Sequence, residues 1–516
     1  MILILIFLLL IAIYFYSTRN FDYWTKRNVK HDPPIPLMGN HSRNVFGIKS
    51  ITEISAELYN KYPDEKVVGY FRGTTPELVI RDLDVAKNIL STDFAYFYAR
   101  GFQRDIKKEP LVKNLFFADD GDLWKLLRQR MTPAFTTAKL KGMFPLIVNC
   151  AMKLQVVGET ICNNGGECDV RELMARFTTE FIGAVGFGIE VDTINNENSS
   201  FRELGKRIFV HKFKTLALLG LWTIFPELRK IIVPTDKILY RDITAIVRNI
   251  CEQRNYKPSG RGDFIDLLLE LKSKGVMKGE SIEKKNPDGS PIIVEIEMDF
   301  PCLVAQVFVF FAAGFETSSS STSFTLHQLA HNPDIQKKIQ EEIDAVLLKH
   351  NNELCYDSIA DMTMLANAFN EAMRMFPSLG TLHRVCAKKY TIPELNITLD
   401  PGVKIMIPVQ AIQNDEKYFD NPTEFRPDRF ADGKAERKNF SFLPFGAGPR
   451  ACIGERLGQM QSLAGLAAVL HKFSVEPAAN TLRHPEISHI SNIVQGIKGG
   501  LPLRLTLRKK VLQIAL

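Results

Sequence analysis

The ten residues FGAGPRACIG, Phe445 to Gly454, place one cysteine, Cys452, in a glycine-rich turn. An apolar run with helical spacing follows, and its face is marked by Leu457, Leu463, Leu466 and Leu470. Cys452 therefore lies at the N-terminus of a predicted helix, where the helix dipole and free backbone N–H groups favour a thiolate over a thiol. A cysteine in this position is suited to bind a metal.

The neighbours of this cysteine fit the same purpose. Gly446, Gly448 and Gly454 let the backbone turn tightly and let a flat cofactor approach it. Arg450 supplies a cation for a carboxylate, and Phe445 would shield the sulfur from water. The stretch therefore predicts one thiolate offered to a metal whose other ligands come from elsewhere, as haem iron requires.

Composition and charge narrow the class of protein. The chain has 516 residues, of which 45% are hydrophobic and 24% charged, and this allows a large core. No linker-like segment or internal repeat divides it, so we expect one large domain behind an N-terminal segment. The net charge of +7 comes from scattered lysines and arginines, which favours a membrane surface or an acidic protein over nucleic acid as partner. Eight cysteines without a C-x-x-C pair indicate a reducing compartment.

The N-terminus predicts a membrane anchor. Residues 1–16 are almost wholly apolar, and the first positive charges come after them, at Arg19, Lys26, Arg27 and Lys30. Because no charge precedes the run and no small-residue cleavage site follows it, an uncleaved signal anchor over residues 1–18 is favoured over a cleaved signal peptide. The positive charges would stay cytosolic and place the N-terminus in the lumen. Residues 19–40 predict a basic, proline-rich and stiff connector.

A long apolar helix is predicted between Pro301 and Pro333. Phe310, Gly314 and Thr317 in its middle are four and three residues apart and share a face. A glycine inside a helix costs about 1 kcal/mol relative to alanine, and room for a ligand against the backbone would justify it. Thr317 can also bond to the carbonyl of Ala313 and open the helix locally.

Two histidines follow on the same predicted helix, at the spacing of zinc ligands. They are His327 and His331, but Gln328 stands where a metalloprotease has glutamate. We therefore expect partly exposed histidines, favoured by the negative end of the helix dipole, rather than a metal site.

Other local patterns give further expectations about secondary structure. Val67–Phe71 and Leu78–Ile80 predict strands of a small N-terminal sheet. Asn286–Ile296, which contains PDGSP, predicts a mobile surface loop. Residues 490–507 contain two β-like runs around Gly499-Gly500 and predict their pairing.

Five motifs occur in an order that carries a family resemblance. They are WKLLR (Trp124–Arg128), AGFET (Ala313–Thr317), EAMR (Glu371–Arg374), PDRF (Pro427–Phe430) and the Cys452 loop. Together they resemble the cytochrome P-450 family over nearly the whole chain. The phrases LHRVC, FFAAGFETSSS and NPTEFRPDRF resemble more closely the insect microsomal clan that handles plant toxins and insecticides.

The resemblance implies a mainly α fold with a small β region (α+β), in which a triangular prism of helices surrounds a buried haem b. Residues 41–516 would form the haem-thiolate catalytic domain. The apolar segment Leu216–Val233 would link two helices over the pocket and dip into the membrane with Leu221, Trp222 and Phe225 exposed. A plain core helix is the alternative for this segment.

The resemblance also implies roles for individual residues. Cys452 would be the axial ligand of the haem iron. The haem would further be held by Arg450, Trp124, Arg128, Arg384, Phe445, Gly446 and Gly454. Oxygen activation would depend on Thr317, Glu316, Gly314 and Ala313. A buried ion network would join Glu371, Arg374 and Arg429. The substrate pocket would include Phe116, Phe117, Phe310, Leu379, Leu382 and Ile493.

The activity implied is that of a monooxygenase in the endoplasmic reticulum membrane, with its catalytic domain on the cytosolic face. It would insert one atom of dioxygen into lipophilic xenobiotics or endogenous lipids and hormones. Electrons would come from NADPH through a flavoprotein reductase, with cytochrome b5 and membrane lipid as further partners. Candidate docking charges are Lys125, Arg130, Lys434, Arg437 and Lys438. The alternatives are a haem-thiolate isomerase or dehydratase that uses no dioxygen, and a non-enzymatic haem protein.

Overall fold

The computed structural model describes residues 1–102, 104–209, 213–232, 236–431, 433, 440–490, 493–509 and 514. The chain is mainly helical within these ranges. Its helices are α1 Ile2–Thr18, α2 Ser42–Val45, α3 Ile51–Lys61, α4 Leu83–Lys87, α5 Gly121–Met131, α6 Thr137–Asn163, α7 Val170–Ile182, α8 Ser200–Phe209, α9 Phe213–Ile224, α10 Lys237–Gln253, α11 Phe264–Ser273, α12 Phe300–Ala330, α13 Pro333–Lys349, α14 Tyr356–Asp361, α15 Thr363–Met375, α16 Val409–Gln413 and α17 Glu455–Lys472.

The strands form small sheets beside the helices. They are β1 Val67–Arg72, β2 Thr75–Ile80, β3 Glu167–Asp169, β4 Val276–Lys285, β5 Pro291–Glu297, β6 Leu382–Val385, β7 Tyr390–Ile392, β8 Ile397–Leu399, β9 Lys404–Ile407, β10 Phe473–Pro477 and β11 Pro502–Leu507. The largest sheet has the order β1-β2-β9-β6, and a second has the order β10-β11-β3. The strands β2 and β9 run parallel. The predicted fold class, mainly α with a small β region, is confirmed, as are the two N-terminal strands.

The centre of the molecule is helix α12. It has 31 residues and is about 46 Å long at 1.5 Å per residue. Its N-terminus is capped by Asp299, whose side chain accepts a hydrogen bond from the N–H of Cys302 at 2.8 Å. Phe311 and Phe315 are fully buried, and their rings pack against Phe201 and Phe209 of α8. The long helix predicted from the sequence is confirmed, with its end at Ala330.

The segment predicted as a mobile loop before α12 is a β-hairpin instead. Strands β4 and β5 pair antiparallel, with Gly279 opposite Val294. Ser281 donates a hydrogen bond to the buried carboxylate of Asp122 on α5, and the N–H of Ile282 donates to the same carboxylate at 2.7 Å. The PDGSP sequence is only the turn of this hairpin. The alternating apolar residues and the hydrogen bonds to α5 stabilise two strands, although the composition of the segment favours a turn or loop.

Two further predictions, one on β11 and one on the end of α12, are wrong. Strand β11 pairs with β10 and β3 rather than across Gly499-Gly500, because those glycines have positive φ and Gly500 packs directly against the carboxylate of Asp169. His327 is fully buried rather than partly exposed. Its Nε2 lies 2.9 Å from the carbonyl oxygen of Leu482, and burial lowers its pKa to about 4.

The N-terminal helix α1 is apolar and almost wholly exposed. It is tied to the rest of the protein at its last turn. The ring of Tyr16 packs on Phe225, with 5.7 Å between ring centroids. The Tyr16 hydroxyl donates to Glu227, whose carboxylate also pairs with Arg19 at 2.6 Å. Two longer apolar helices, α6 and α12, pass a membrane-span test of length and composition, but both are partly buried within the protein.

The segment after α8 differs from its prediction. Trp222 is buried instead of exposed, and Leu221 and Phe225 are partly buried. The guanidinium of Arg229 lies 5.7 Å from the Trp222 ring. Helix α9 therefore turns its tryptophan towards the protein interior, where it contributes to a cavity described below.

Candidate active site

The loop that carries Cys452 is fixed by its backbone. Gly446 and Gly448 have φ of +71° and +72°, in the left-handed region that glycine tolerates. A Cβ on Gly448 would lie 1.8 Å from the carbonyl oxygen of Leu90, so no other residue fits there. The N–H of Cys452 donates to the carbonyl of Phe445 at 2.8 Å. The thiol is thus held directly before α17, as the sequence predicts.

The thiol of Cys452 is accessible, although protein atoms surround it. Desolvation raises its pKa above the ordinary value, while the Gly454 N–H and the guanidinium groups of Arg128 and Arg100 act in the opposite direction. The effect predicted for the helix N-terminus is present, since the Gly454 N–H lowers the pKa of the thiol, but desolvation is the larger effect and raises it. A metal ion bound to the sulfur would displace the proton outright.

Three arginines gather near this cysteine, of which Arg384 and Arg450 are buried and Arg100 is partly buried. The pKa of Arg450 is lowered to about 8 and that of Arg384 to about 9. Burial is the main cause, and repulsion from the charge of Arg100 acts in the same direction on both. Within the described part of the chain, Nε and Nη1 of Arg450 and Nε of Arg384 have no hydrogen-bond partner. Buried guanidinium groups with unused donors are costly and fit carboxylates well.

Sequence reasoning missed Arg100. Its Nη1 donates to the carbonyl of Phe116 at 3.0 Å, and its Nη2 donates to the carbonyl of Arg450 at 3.2 Å. Burial lowers its pKa to about 10. Arg100 lies in an irregular segment outside every motif, so no periodicity or spacing could have indicated it.

The two residues predicted from WKLLR act differently from each other. The guanidinium of Arg450 lies 4.9 Å from the centroid of the Trp124 ring, in cation–π geometry. Arg128 donates through Nη1 to the carbonyl of Ala451 at 2.9 Å. Trp124 thus supports an arginine of the cluster, while Arg128 braces the residue before Cys452.

Two arginines of the cluster, Arg100 and Arg384, line a cavity of about 1690 Å³. Its wall includes Arg100, Arg384, Ala313 and Thr317. Small-molecule pockets usually have volumes of about 300–1,000 Å³, so this space can hold a flat cofactor and a second molecule. A thiol for iron, guanidinium donors for two propionates and a large enclosed space together fit haem.

Helix α12 presents small and polar groups to this cavity. Ala313 is exposed in the middle of an otherwise buried helix. The hydroxyl of Thr317 donates to the carbonyl of Ala313 at 2.7 Å, which leaves its oxygen able to accept a hydrogen bond from the cavity. Glu316 also lines the cavity, and its Oε1 accepts a hydrogen bond from Arg171 at 2.6 Å.

A buried ion network lies behind the cysteine loop. Arg374 binds Glu371 through two hydrogen bonds of 2.8 and 3.0 Å, and both side chains are fully buried. Nε of Arg429 lies 3.1 Å from the same carboxylate. Arg374 also donates to the carbonyl of Gln413 at 2.8 Å, and the Gln413 side chain accepts the N–H of Leu443 at 2.7 Å. The network thereby reaches the start of the cysteine loop.

The profile of the family described as Cytochrome P450 matches residues 30–501. The chain belongs to the cytochrome P450 family. Cytochrome P450 6B2 of Helicoverpa armigera is 36% identical over 504 residues, which cover 98% of this chain and 97% of the relative. Cytochrome P450 6a2 of Drosophila melanogaster is 37% identical, with coverage of 94% and 96%. Cytochrome P450 6B1 of Papilio polyxenes is 34% identical, with coverage of 90% and 91%.

Membership of the P450 family gives the chain a general chemistry. It is a haem-thiolate monooxygenase that binds haem and uses dioxygen, a small-molecule substrate and electrons delivered by a reductase.

The cavity contains four of the six residues predicted for the substrate pocket. They are Phe116, Phe117, Leu379 and Ile493. Phe310 is not among the described lining residues, because its ring stacks on Phe264 at 4.2 Å between centroids. Leu382 is also absent from the described wall, and its side chain lies on the side of Gly446. The i, i+4, i+7 pattern grouped Phe310 with Thr317, but packing against α11 draws the phenylalanine away.

Gly314 has a different purpose from the one predicted for it. A Cβ at this position would lie 2.4 Å from Cδ1 of Ile182 on α7. The glycine therefore allows two helices to approach closely, rather than giving a ligand room against the backbone. The cavity face of the helix is provided by Ala313 instead.

We expect Gly314→Ala to lower the free energy of unfolding by about 1–3 kcal/mol, because the new methyl group overpacks the contact with Ile182. Gly458→Ala is the matched control. Gly458 is also helical, but a Cβ there would lie 3.8 Å from the nearest atom, so the better helix propensity of alanine should leave stability unchanged or slightly increased. Urea unfolding of both variants measures the difference. Restoration of stability in Gly314→Ala/Ile182→Ala would identify the clash, and equal stability of the two single variants would contradict it.

Proposed function

We propose that this P450 inserts one atom of dioxygen into lipophilic small molecules, which include xenobiotics such as plant toxins and insecticides or endogenous lipids and hormones. The observation that carries this proposal is the large cavity in which Phe116, Phe117, Leu379 and Ile493 provide apolar wall beside Ala313. Apolar and aromatic lining with a few convergent polar groups is typical of sites that bind lipophilic compounds.

The proposed roles of the residues follow from their contacts. Cys452 binds the haem iron, and the fixed loop from Phe445 to Gly454 holds its sulfur in position. Arg450 and Arg384, together with Arg100, bind the propionates through the donors that the protein leaves unused. Trp124 supports Arg450, and Arg128 supports the loop. Haem, when bound, supplies the chemistry that activates dioxygen.

We assign the supply of protons to Thr317 and Glu316. Thr317 lines the cavity, and its oxygen can accept a hydrogen bond from water and pass a proton on by reorienting its hydroxyl. Arg171 holds Oε1 of Glu316, whereas Oε2 makes no hydrogen bond within the described residues. The carboxylate is thus fixed at one oxygen and available for proton exchange at the other.

Replacing Thr317 by alanine tests this function. We expect haem binding to be retained, but product formed per NADPH to fall by roughly 10²-fold at most, the lower end of the usual contribution of acid–base assistance, because water replaces part of the lost group. Hydrogen peroxide released per NADPH should rise. The control is Thr325→Ala, since Thr325 makes the same backbone hydrogen bond on α12, at 2.8 Å, but is buried away from the cavity. Unchanged product and peroxide in Thr317→Ala would contradict the assignment of Thr317 to the supply of protons.

The proposed electron donors are an NADPH-dependent flavoprotein reductase and cytochrome b5. Lys125 and Arg130 on α5 remain candidate docking charges, although Lys125 lies 3.8 Å from Glu280 of the hairpin and is partly neutralised by it. Lys434, Arg437 and Lys438 lie outside the described residues. A hairpin that packs on α5 would thus form one border of the docking face.

We also propose that α1 spans the endoplasmic reticulum membrane, where membrane lipid contacts this apolar helix. The catalytic domain lies in the cytosol, and residues 19–40 connect it to α1. The exposed apolar surface of α1 supports this topology. In sealed microsomes, external protease should therefore digest the catalytic domain without detergent, and the N-x-S/T sites at Asn40, Asn198 and Asn396 should carry no glycan. Protection from protease, or a mass loss with endoglycosidase, would show the opposite orientation.

A further inference from the structure

Two serine hydroxyls meet at the backbone carbonyl of Thr317. Ser321, one turn later on α12, donates to this carbonyl at 3.1 Å, and Ser378, which follows α15, also donates to it at 3.1 Å. The two hydroxyl oxygens lie 3.1 Å apart, and both serines are buried. Because the Thr317 hydroxyl is itself bound to the carbonyl of Ala313, the residue is held within α12 through its side chain and from another segment through its backbone.

Ser378 belongs to a segment that forms a different part of the cavity wall. Its neighbour Leu379 lines the cavity, whereas Ser378 itself is not among the described lining residues. The carbonyl of Ser378 accepts a hydrogen bond from the N–H of Gln495 at 2.9 Å. Through its hydroxyl and its carbonyl, Ser378 is thus bound to α12 and to the C-terminal part of the chain at the same time.

Gln495 extends this arrangement to a third segment of the wall. Its Nε2 donates to the carbonyl of Pro377 at 2.7 Å, so side chain and backbone of the glutamine bind two successive residues of the segment after α15. Gln495 is buried, and Ile493, two residues before it, lines the cavity. This buried polar group, the Ser378 cluster, consists of Ser321, Ser378 and Gln495.

The Ser378 cluster connects parts of the wall that have different tasks. Thr317 lines the cavity from α12 and is the residue to which proton supply is assigned, whereas Leu379 and Ile493 provide apolar wall for the substrate. Apolar packing alone defines a position loosely because the hydrophobic effect is not directional, but hydrogen bonds require defined distances and angles. The cluster thus fixes where the substrate wall lies relative to Thr317.

We infer that Ser378 is a positioning residue that determines which carbon atom of a lipophilic substrate is oxidised. Its hydroxyl holds Leu379 at a set distance from Thr317, and a substrate that rests against Leu379 therefore presents one part of its length to the reacting side of the cavity. Ser378 acts through these two residues rather than by contact with the substrate. This inference rests on the proposed function and names a residue that controls the position of oxidation.

The test gives the holoenzyme methyl dodecanoate, a neutral chain whose oxidised regioisomers are separated by gas chromatography and identified by mass spectrometry. A hydrogen bond between neutral groups contributes enough to change an equilibrium about 2- to 10-fold, so we expect Ser378→Ala to change the ratio of regioisomers by that factor. Ser378→Thr keeps the hydroxyl and should keep the wild-type ratio. The same change of ratio in Ser378→Thr as in Ser378→Ala would show that the hydroxyl is not the cause.

A second measurement does not depend on turnover. Hydrogen–deuterium exchange of the holoenzyme reports how often the backbone of residues 376–382 opens. We expect faster exchange there in Ser378→Ala and wild-type exchange in Ser378→Thr. Gln495→Met removes the side-chain donor to Pro377 and frees the same segment from its other partner, so it should also change the ratio of regioisomers. This variant decides the question if Ser378→Ala fails to hold haem.

Ser323→Ala is the matched control. Ser323 is fully buried on α12, and its hydroxyl donates to the carbonyl of Ser320 at 3.0 Å, within its own helix. Loss of this hydroxyl should therefore leave the ratio of regioisomers and the exchange of residues 376–382 unchanged. An unchanged ratio in Ser378→Ala would overturn the inference, as would an equal change in Ser323→Ala. Failure of the proposed function has a separate signature, namely the absence of NADPH-dependent oxidation of the ester by the wild type.

Discussion

Replacing Cys452 by alanine should abolish the thiolate spectrum of the reduced carbon-monoxide complex and all monooxygenation. The reason is that Cys452 lies in the glycine-constrained loop beside Arg100 and Arg450, and no other described cysteine lies in that loop. The loop geometry itself depends on Gly446 and Gly448, which the substitution does not touch, so the protein should remain folded. Histidine at position 452 should also eliminate the thiolate spectrum, because it offers nitrogen in place of sulfur.

The control for Cys452→Ala is Cys355→Ser. Cys355 caps α14, where its sulfur accepts the N–H of Ser358 at 3.4 Å, and serine can make the same bond. Carbon-monoxide difference spectra, haem content and product formation are measured for both variants. A thiolate spectrum in Cys452→Ala would show that another sulfur binds the iron, and the assignment of the site would be wrong.

The second large effect is expected from Glu371→Gln. The substitution leaves Arg374 buried without its carboxylate, while Arg429 keeps its pair with Asp420, and breaking a buried ion pair in this way costs about 3–5 kcal/mol. Because Arg374 is linked through Gln413 to Leu443, we also expect the cysteine loop to lose its fixed position. Little haem should therefore be incorporated.

Glu424→Gln is the control for this network. Glu424 is also an acid beside an arginine, with an Oε2–Nε distance of 3.6 Å to Arg426, but it is exposed, so its removal should change stability by less than about 1 kcal/mol. The measurements are haem bound per polypeptide and the free energy of unfolding in urea. Normal haem content in Glu371→Gln would show that the carboxylate does not organise the loop.

The sequence alone indicated those parts of the site whose residues are close together in the chain. The Cys452 loop, the mid-helix Thr317 and the Glu371–Arg374 pair each depend on local spacing, and the structure places all of them as the spacing requires. Arg100 gave no such signal. It enters the cavity through loop packing, which a single sequence does not encode in any short pattern.

The errors have a related cause, namely tertiary contacts that outweigh local preference. Gly314 was assigned to a ligand because a glycine inside a helix needs a reason, but the reason is the side chain of Ile182 on another helix. Trp222 was expected in the membrane because its segment is apolar, yet it faces the protein interior. The composition of PDGSP led to the prediction of a loop, but this segment is the turn of a hairpin that Asp122 fixes through a hydrogen bond.

The close approach of α7 and α12 determines which parts of the molecule can move. Beyond the contact at Gly314, Thr178 donates to the carbonyl of Phe315 at 3.0 Å and Arg171 binds both Glu316 and Ser320. Interlocked side chains and three polar cross-links make the two helices one rigid body, because sliding would break close packing along their whole contact. We therefore expect the wall that carries Thr317 to move less than the part of the wall to which α9 contributes Trp222. Passage of substrate and product would then depend on the α9 side of the cavity.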